Sequence, residues 1–211
     1  MSKPGCFITL EGSEGAGKST VAESLAERLR RQQIYPVVTR EPGGTALGEA
    51  LRELLLNPDT GRLAVESELL MVFAARAQHL YEVIRPALVR GEWVICDRFT
   101  DSSFAYQGGG RQMDFARIEV LERWLHGDLQ PDLTLLFDLP VDLGLQRAGS
   151  RSPADRFEAE NMAFFSAVRG AYLRRADADP DRIAVVDASL SPEQVMTQVL
   201  GCVDRLLLTE Y

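Results

Sequence analysis

The chain has 211 residues, 45% of them hydrophobic and 26% charged, which are the proportions of an ordinary globular domain. They exclude an unfolded tail, a collagen-like chain and a membrane bundle. A net charge of −8 excludes a diffuse basic face for DNA or RNA, so any anionic substrate must be drawn by a few cations focused in a cleft.

Along the chain, short apolar runs alternate with helical patterns. Strands are expected at residues 6–10, 36–39, 93–96, 133–137 and 183–186, each continuously apolar, as in a parallel sheet covered on both faces. Helices are expected over 18–32, where Val21, Leu25 and Leu29 share a face, over 46–56, and in a long segment over 66–90. A further helix over 114–125 stops at Gly127, and the last opens at Ser191-Pro192-Glu193-Gln194, a capping sequence. Residues 107–111 (QGGGR) and 149–156 read as loops, the second as a mobile lid at about 147–157 carrying Arg147, Arg151 and Arg156. The alternation predicts one α/β domain over 1–211 with right-handed crossovers.

Cys6, Cys96 and Cys202 form no CxxC pair, and with only His79 and His126 beside them no zinc site is expected. Free thiols, no run of ~20 apolar residues and no secretory core predict a cytoplasmic protein without a membrane partner.

Gly12-Ser13-Glu14-Gly15-Ala16-Gly17-Lys18-Ser19 satisfies GxxxxGK[ST] between a strand and a helix. Its backbone N–H groups can converge on phosphate oxygens, Lys18 can reach the β- and γ-phosphates, and Ser19 can ligate Mg²⁺. Nucleoside triphosphate binding follows. Only Asn57 and Asn161 are present, neither in an NKxD-like base reader, which leaves a small-molecule kinase with a second anion site. Asp97-Arg98 closes an apolar strand at its carboxyl end, where ligands of parallel sheets bind. Asp97 is the expected Mg²⁺ ligand, ahead of the strand-end acids Asp138 and Asp187, and Arg98 the expected partner of an incoming phosphate. Phe73 and Arg76 lie one helical turn apart, placed either to sandwich a base or to serve as core and surface. Another nucleotide kinase, or a binding module that signals through conformation, fits the phosphate loop alone.

Together with Arg40-Glu41-Pro42-Gly43-Gly44-Thr45, Ala74-Ala75-Arg76, residues 101–111 and Pro131-Asp132-Leu133, these motifs resemble bacterial thymidylate kinases over nearly the whole chain. The resemblance implies a three-layer P-loop nucleoside monophosphate kinase-like fold with a five-stranded parallel sheet, a homodimer, and transfer of the γ-phosphoryl group of ATP to dTMP. Carried over, Glu14 approaches the deoxyribose 3′-hydroxyl, Arg76 and Gln107 read thymine, and Arg98 clamps the dTMP phosphate with Arg52. Tyr106 crowds the sugar 2′ position, while Glu41, Pro42 and Ser102 belong to the same pocket. The family's stacking aromatic commonly sits at the place of Val72, whereas this chain has Phe73. Thr20 extends the nucleotide contacts, and Arg151 supplies the catalytic lid charge with Arg147 and Arg156 in support.

Overall fold

A computed structural model describes residues 5–149 and 156–209. Strands β1 (Phe7–Glu11), β2 (Val37–Arg40), β3 (Val94–Asp97), β4 (Leu133–Asp138) and β5 (Ile183–Asp187) form one sheet in the order β2-β3-β1-β4-β5, every pair parallel. The connecting helices are α1 (Lys18–Arg31), α2 (Ala46–Leu56), α3 (Val65–His79), α4 (Arg85–Val89), α5 (Thr100–Ser103), α6 (Phe115–His126), α7 (Val141–Ala148), α8 (Met162–Ala178) and α9 (Pro192–Thr209).

Side chains alternate across the sheet. Ile8, Leu10, Leu135 and Phe137 pack against Leu25 and Leu29 of α1 and Val195 and Val199 of α9. Phe7, Val94 and Cys96 face the other way onto Leu80, Ile84 and Ala87. Further along that side, Leu136 and Ile183 meet Phe165, Val168 and Tyr172 of α8. Three layers result, with apolar strands covered on both faces as a parallel sheet requires.

All five strands run one residue further toward the carboxyl end than their apolar stretches, finishing on Glu11, Arg40, Asp97, Asp138 and Asp187. Backbone pairing ignores side-chain polarity, so the ladder carries a charged residue to each strand end. The register sets Arg40 and Leu10 both level with Asp97, which gathers functional groups along one edge of the sheet.

Two expectations need correction. The segment expected as a loop at 107–111 is largely helical, since α5 continues into a π-helical stretch at Phe104–Gly110. Its glycines permit close packing, because a Cβ on Gly109 would lie 2.6 Å from the Ala171 Cβ and one on Gly110 2.4 Å from the Phe164 ring. The long helix over 66–90 is divided into α3 and α4 by a π-helical turn at Leu80–Ile84, and Pro86, which lacks an N–H, stands in the first turn of α4. No helix among the described residues is long and apolar enough to cross a membrane.

Candidate active site

Between the end of β1 and the start of α1 the chain turns through the glycine-rich loop. A Cβ on Gly12 (φ +136) would sit 2.5 Å from the Phe137 carbonyl oxygen, and one on Gly15 (φ +72) 2.2 Å from that of Gly144. Only glycine fits at either place. Lys18 folds back so that Nζ donates to the carbonyl oxygens of Gly12 (3.0 Å) and Ser13 (2.9 Å). Burial, reinforced by the Arg98 charge, pushes its ammonium down to about 8. A cation so desolvated gains from a nearby anion.

The Ser19 hydroxyl donates to Asp97 Oδ2 at 2.7 Å, while Asp97 Oδ1 is buried without a hydrogen-bond partner. A hydroxyl and an unsatisfied carboxylate oxygen suit Mg²⁺, which takes one or two carboxylates and completes its shell from phosphates and water. No cluster of three or more His, Cys, Asp or Glu among the described residues offers a transition-metal cage. A cavity of about 630 Å³ opens over the loop, with Lys18, Arg40, Arg52 and Arg98 among its walls.

Arg98 marks the boundary to the second cavity. Its backbone is left-handed (φ +71), a conformation costing an ordinary L-residue roughly 1–2 kcal/mol. The guanidinium donates to the Gly12 carbonyl (2.9 Å) and to Glu14 Oε1 (2.5 Å), and lies 5.0 Å from the centre of the Tyr106 ring. Tyr106 donates its hydroxyl to the same Glu14 oxygen at 2.9 Å. Burial works to raise Glu14, but Arg98 and Lys18 outweigh it and hold the carboxyl below its usual range.

Sequence reasoning missed what fixes this turn. Glu11, wholly buried at the end of β1, accepts from the backbone N–H groups of Phe99 (2.8 Å) and Ser102 (3.2 Å). It also accepts from the Ser102 hydroxyl (2.6 Å) and the Tyr172 hydroxyl (3.0 Å). These contacts bracket the left-handed Arg98, and both hydroxyls in turn face its Nη1, at 3.4 and 3.3 Å. An acid ending an apolar strand was the available signal for Glu11. Tyr172, 161 residues further on, carried none. Burial first, then the Asp101 charge, pushes Glu11 up to about 7.

The second cavity, about 650 Å³, is walled by Pro42, Leu55, Val72, Tyr106 and Phe157, with Arg76 and Gln107 among its polar lining. Arg76 spends three of its five N–H donors inside the protein: Nε on Glu41 Oε2 (2.6 Å), Nη1 on Ser103 Oγ (3.1 Å) and Nη2 on the Phe99 carbonyl (3.1 Å). Glu41 Oε1 contacts His79 Nδ1 at 3.0 Å, and His79 Nε2 meets Thr39 Oγ1 at 2.7 Å. Burial tends to raise Glu41, and Arg76 with His79 more than reverses it. Arg52 donates to the Pro42 carbonyl (3.0 Å) and borders both cavities, as do Glu14, Glu41 and Arg98. The result is an apolar slot with a few directed polar groups, joined to a cationic phosphate cradle.

A family profile described as "Thymidylate kinase" matches residues 10–199. The chain belongs to the thymidylate kinase family. It is 59% identical over 203 residues to "Thymidylate kinase" of Pseudomonas syringae pv. syringae, covering 96% of this chain and 95% of that protein. Identity to the Pseudomonas fluorescens protein of the same name is 60% over 205 residues, with 97% and 96% covered. The crystal structure of thymidylate kinase from Ehrlichia chaffeensis superposes with a TM-score of 0.79 at 34% identity, covering 95% of this chain and all of that one. The fold is accordingly that of the P-loop nucleoside monophosphate kinases, and the chain is a phosphotransferase.

Within this family member, the remaining expected residues take the following places. Val72, not Phe73, lines the slot. Phe73 is one step around α3, buried with Leu69, Phe104 and Ile118, and its ring lies 4.6 Å from the Arg76 guanidinium carbon. The ring therefore braces Arg76 from the core side. Arg156 is bound away from the phosphate loop, with Nε on the Leu55 carbonyl (2.7 Å) and Nη2 paired with the buried Glu68 at 2.7 Å. Arg147 donates to the Ala188 carbonyl (2.8 Å) and packs beside Gly15. Thr20 lies on the exposed first turn of α1. Arg151 lies outside the described residues.

Proposed function

We propose that this chain catalyses ATP + dTMP → ADP + dTDP, using the loop cavity for the triphosphate and the slot for the nucleoside monophosphate. The observation that carries this reading is Arg98, whose guanidinium borders both cavities and is anchored to the loop carbonyl of Gly12. A phosphate monoester entering the slot, whose second pKa is ~6, is already an anionic nucleophile at neutral pH. No general base is needed. The obstacle is the repulsion between two anions, and the protein's part is to position them in line and neutralise them.

Lys18, desolvated beside the loop, holds the β- and γ-oxygens of ATP. Arg98 and Arg52 hold the acceptor phosphate, and Arg98 stays in contact with charge as it moves between the two. Ser19 and Asp97 would hold Mg²⁺, which supplies positive charge against the donor phosphates. Glu14 fixes Arg98 and receives the sugar hydroxyl, while Tyr106, packed over the same guanidinium, leaves no room for a 2′-hydroxyl. Arg76 and Gln107 meet the base edge, with Pro42 and Val72 against its faces. The homodimer implied by the family belongs to the same proposal.

A panel of nucleoside monophosphates assayed for ADP formation tests the assignment. dTMP should give the highest kcat/KM, with ribonucleotides far below. Equal use of dTMP and dCMP, or ADP release indifferent to the acceptor, would refute it.

A further inference from the structure

Behind Gln107 of the slot lies a carboxylate to which the reaction gives no task. Glu68, in the first turn of α3, is 1% exposed. Its Oε1 accepts from Gln107 Nε2 at 2.8 Å, and its Oε2 pairs with Arg156 Nη2 (2.7 Å) and Arg111 Nη2 (3.3 Å). Arg111 Nε also reaches both oxygens at 3.4 Å, and a carboxylate paired with two guanidinium groups presents only acceptors to Gln107.

The consequence falls on Gln107. A glutamine amide presents a donor face or an acceptor face depending on a half-turn about its last torsion, and nothing in its own shape chooses between them. Against an acceptor-only oxygen, the nitrogen must point at Glu68. The carbonyl oxygen Oε1 is then the acceptor left for a ligand, and it takes no hydrogen bond from the described residues. Arg76, which lines the same slot, offers only donors. A base that spans these two residues meets one acceptor and one donor group. Thymine and uracil, with N3–H beside a carbonyl, match that pattern. Cytosine, with a bare N3 beside an amino group, meets lone pair against lone pair and N–H against N–H.

We propose that Glu68 is a positioning residue that determines base specificity, locking the Gln107 amide so that the slot accepts an N3–H pyrimidine and rejects cytosine. The inference deepens the dTMP reading and rests on Gln107 facing the base.

Glu68→Gln tests it. In that variant Arg111 and Arg156 claim the new amide's oxygen and turn its NH₂ toward Gln107, which favours the reversed Gln107 amide. Ratios of kcat/KM between two substrates are the informative readout, because the concentration of active enzyme cancels and simple loss of stability leaves them unmoved. The dTMP:dCMP ratio should narrow at least tenfold, while dTMP:dUMP, two N3–H bases, stays within about threefold. A dTMP:dCMP ratio within threefold of the unmodified enzyme would overturn the proposal, provided Gln107→Leu does narrow it. If Gln107→Leu leaves the ratio unchanged, the base-reading role of Gln107 itself is wrong and the inference falls with it. Should Glu68→Gln fail to fold, the Gln107 side-chain amide of the unmodified enzyme decides by ¹⁵N NMR. One of its two protons should be protected from exchange with and without dTMP; two freely exchanging protons would overturn the assignment.

Discussion

Arg98 concentrates the chemistry of this site in one side chain, and its worth depends on shape as much as charge. It spreads donors to Gly12, Glu14, Ser102 and Tyr172, a planar fork that an ammonium cannot reproduce. Arg98→Lys should therefore keep the fold and lower kcat/KM for dTMP by roughly 10² or more, the loss typical when one preorganised donor is removed from a transition state. A fall below fivefold in steady-state assays would show that point charge alone suffices. Much at this scale was legible in the chain: Lys18, Ser19, Asp97 and Arg98 come together as their motifs imply. What stayed hidden were groups whose meaning is relational. Glu11 shows in the sequence only as an acid ending an apolar strand and Glu68 as one acid among many, and burial behind Arg98's turn is what gives Glu11 its task.

At the scale of elements, the sheet was readable because its strands are continuously apolar, and the helix expected over 114–125 because Ile118, Leu121 and Leu125 recur at helical spacing before Gly127; it runs over 115–126, with Asp114 as its cap accepting from Ala116 N–H at 3.0 Å. The glycine run 108–110 misled, since three consecutive glycines normally mark a loop. Here Gly109 and Gly110 are absences of side chain that let the Phe104–Gly110 stretch rest on α8, and Gly108 leaves room for Phe115 and Ile118 of α6, a tertiary reason invisible to local patterning. Gly109→Ala tests that account. Its Cβ would also meet the Ala167 carbonyl oxygen at 2.7 Å, and backbone cannot yield as a flexible side chain does. The variant should lose about 1–3 kcal/mol by overpacking and bind dTMP more weakly, because Tyr106 and Gln107 ride on the same segment. Thermal melting without loss of stability would contradict the packing described.

For the molecule as a whole, burial of ionisable groups makes stability depend on pH in a predictable sense. His126 is fully buried, stacked on Phe99 with ring centroids 4.8 Å apart, and its Nδ1 has no partner. Burial, helped by the Arg76 charge, pushes its pKa from 6.5 down to about 3. The unfolded chain binds this proton first, so the stabilisation stands above pH 6.5 and is lost as pH falls toward 3, by up to roughly 1.4 kcal/mol per pH unit. Glu11, raised to about 7, acts with the opposite sign: its contribution is full below pH 4.5 and lost as pH rises through 7. Denaturant unfolding of His126→Phe between pH 4 and 6.5 should show a smaller acid loss than the unmodified protein. An unchanged slope would mean that His126 takes up a proton while folded.

The two cavities meet at Arg98 and Arg52, so that phosphoryl transfer passes directly from donor to acceptor. Incubation with γ-³²P-labelled ATP, Mg²⁺ and dTMP measures this most directly. Label should appear in dTDP, one for each ADP formed, and almost none in inorganic phosphate. Label released as free phosphate, or retained in ATP with dTMP untouched, would contradict it.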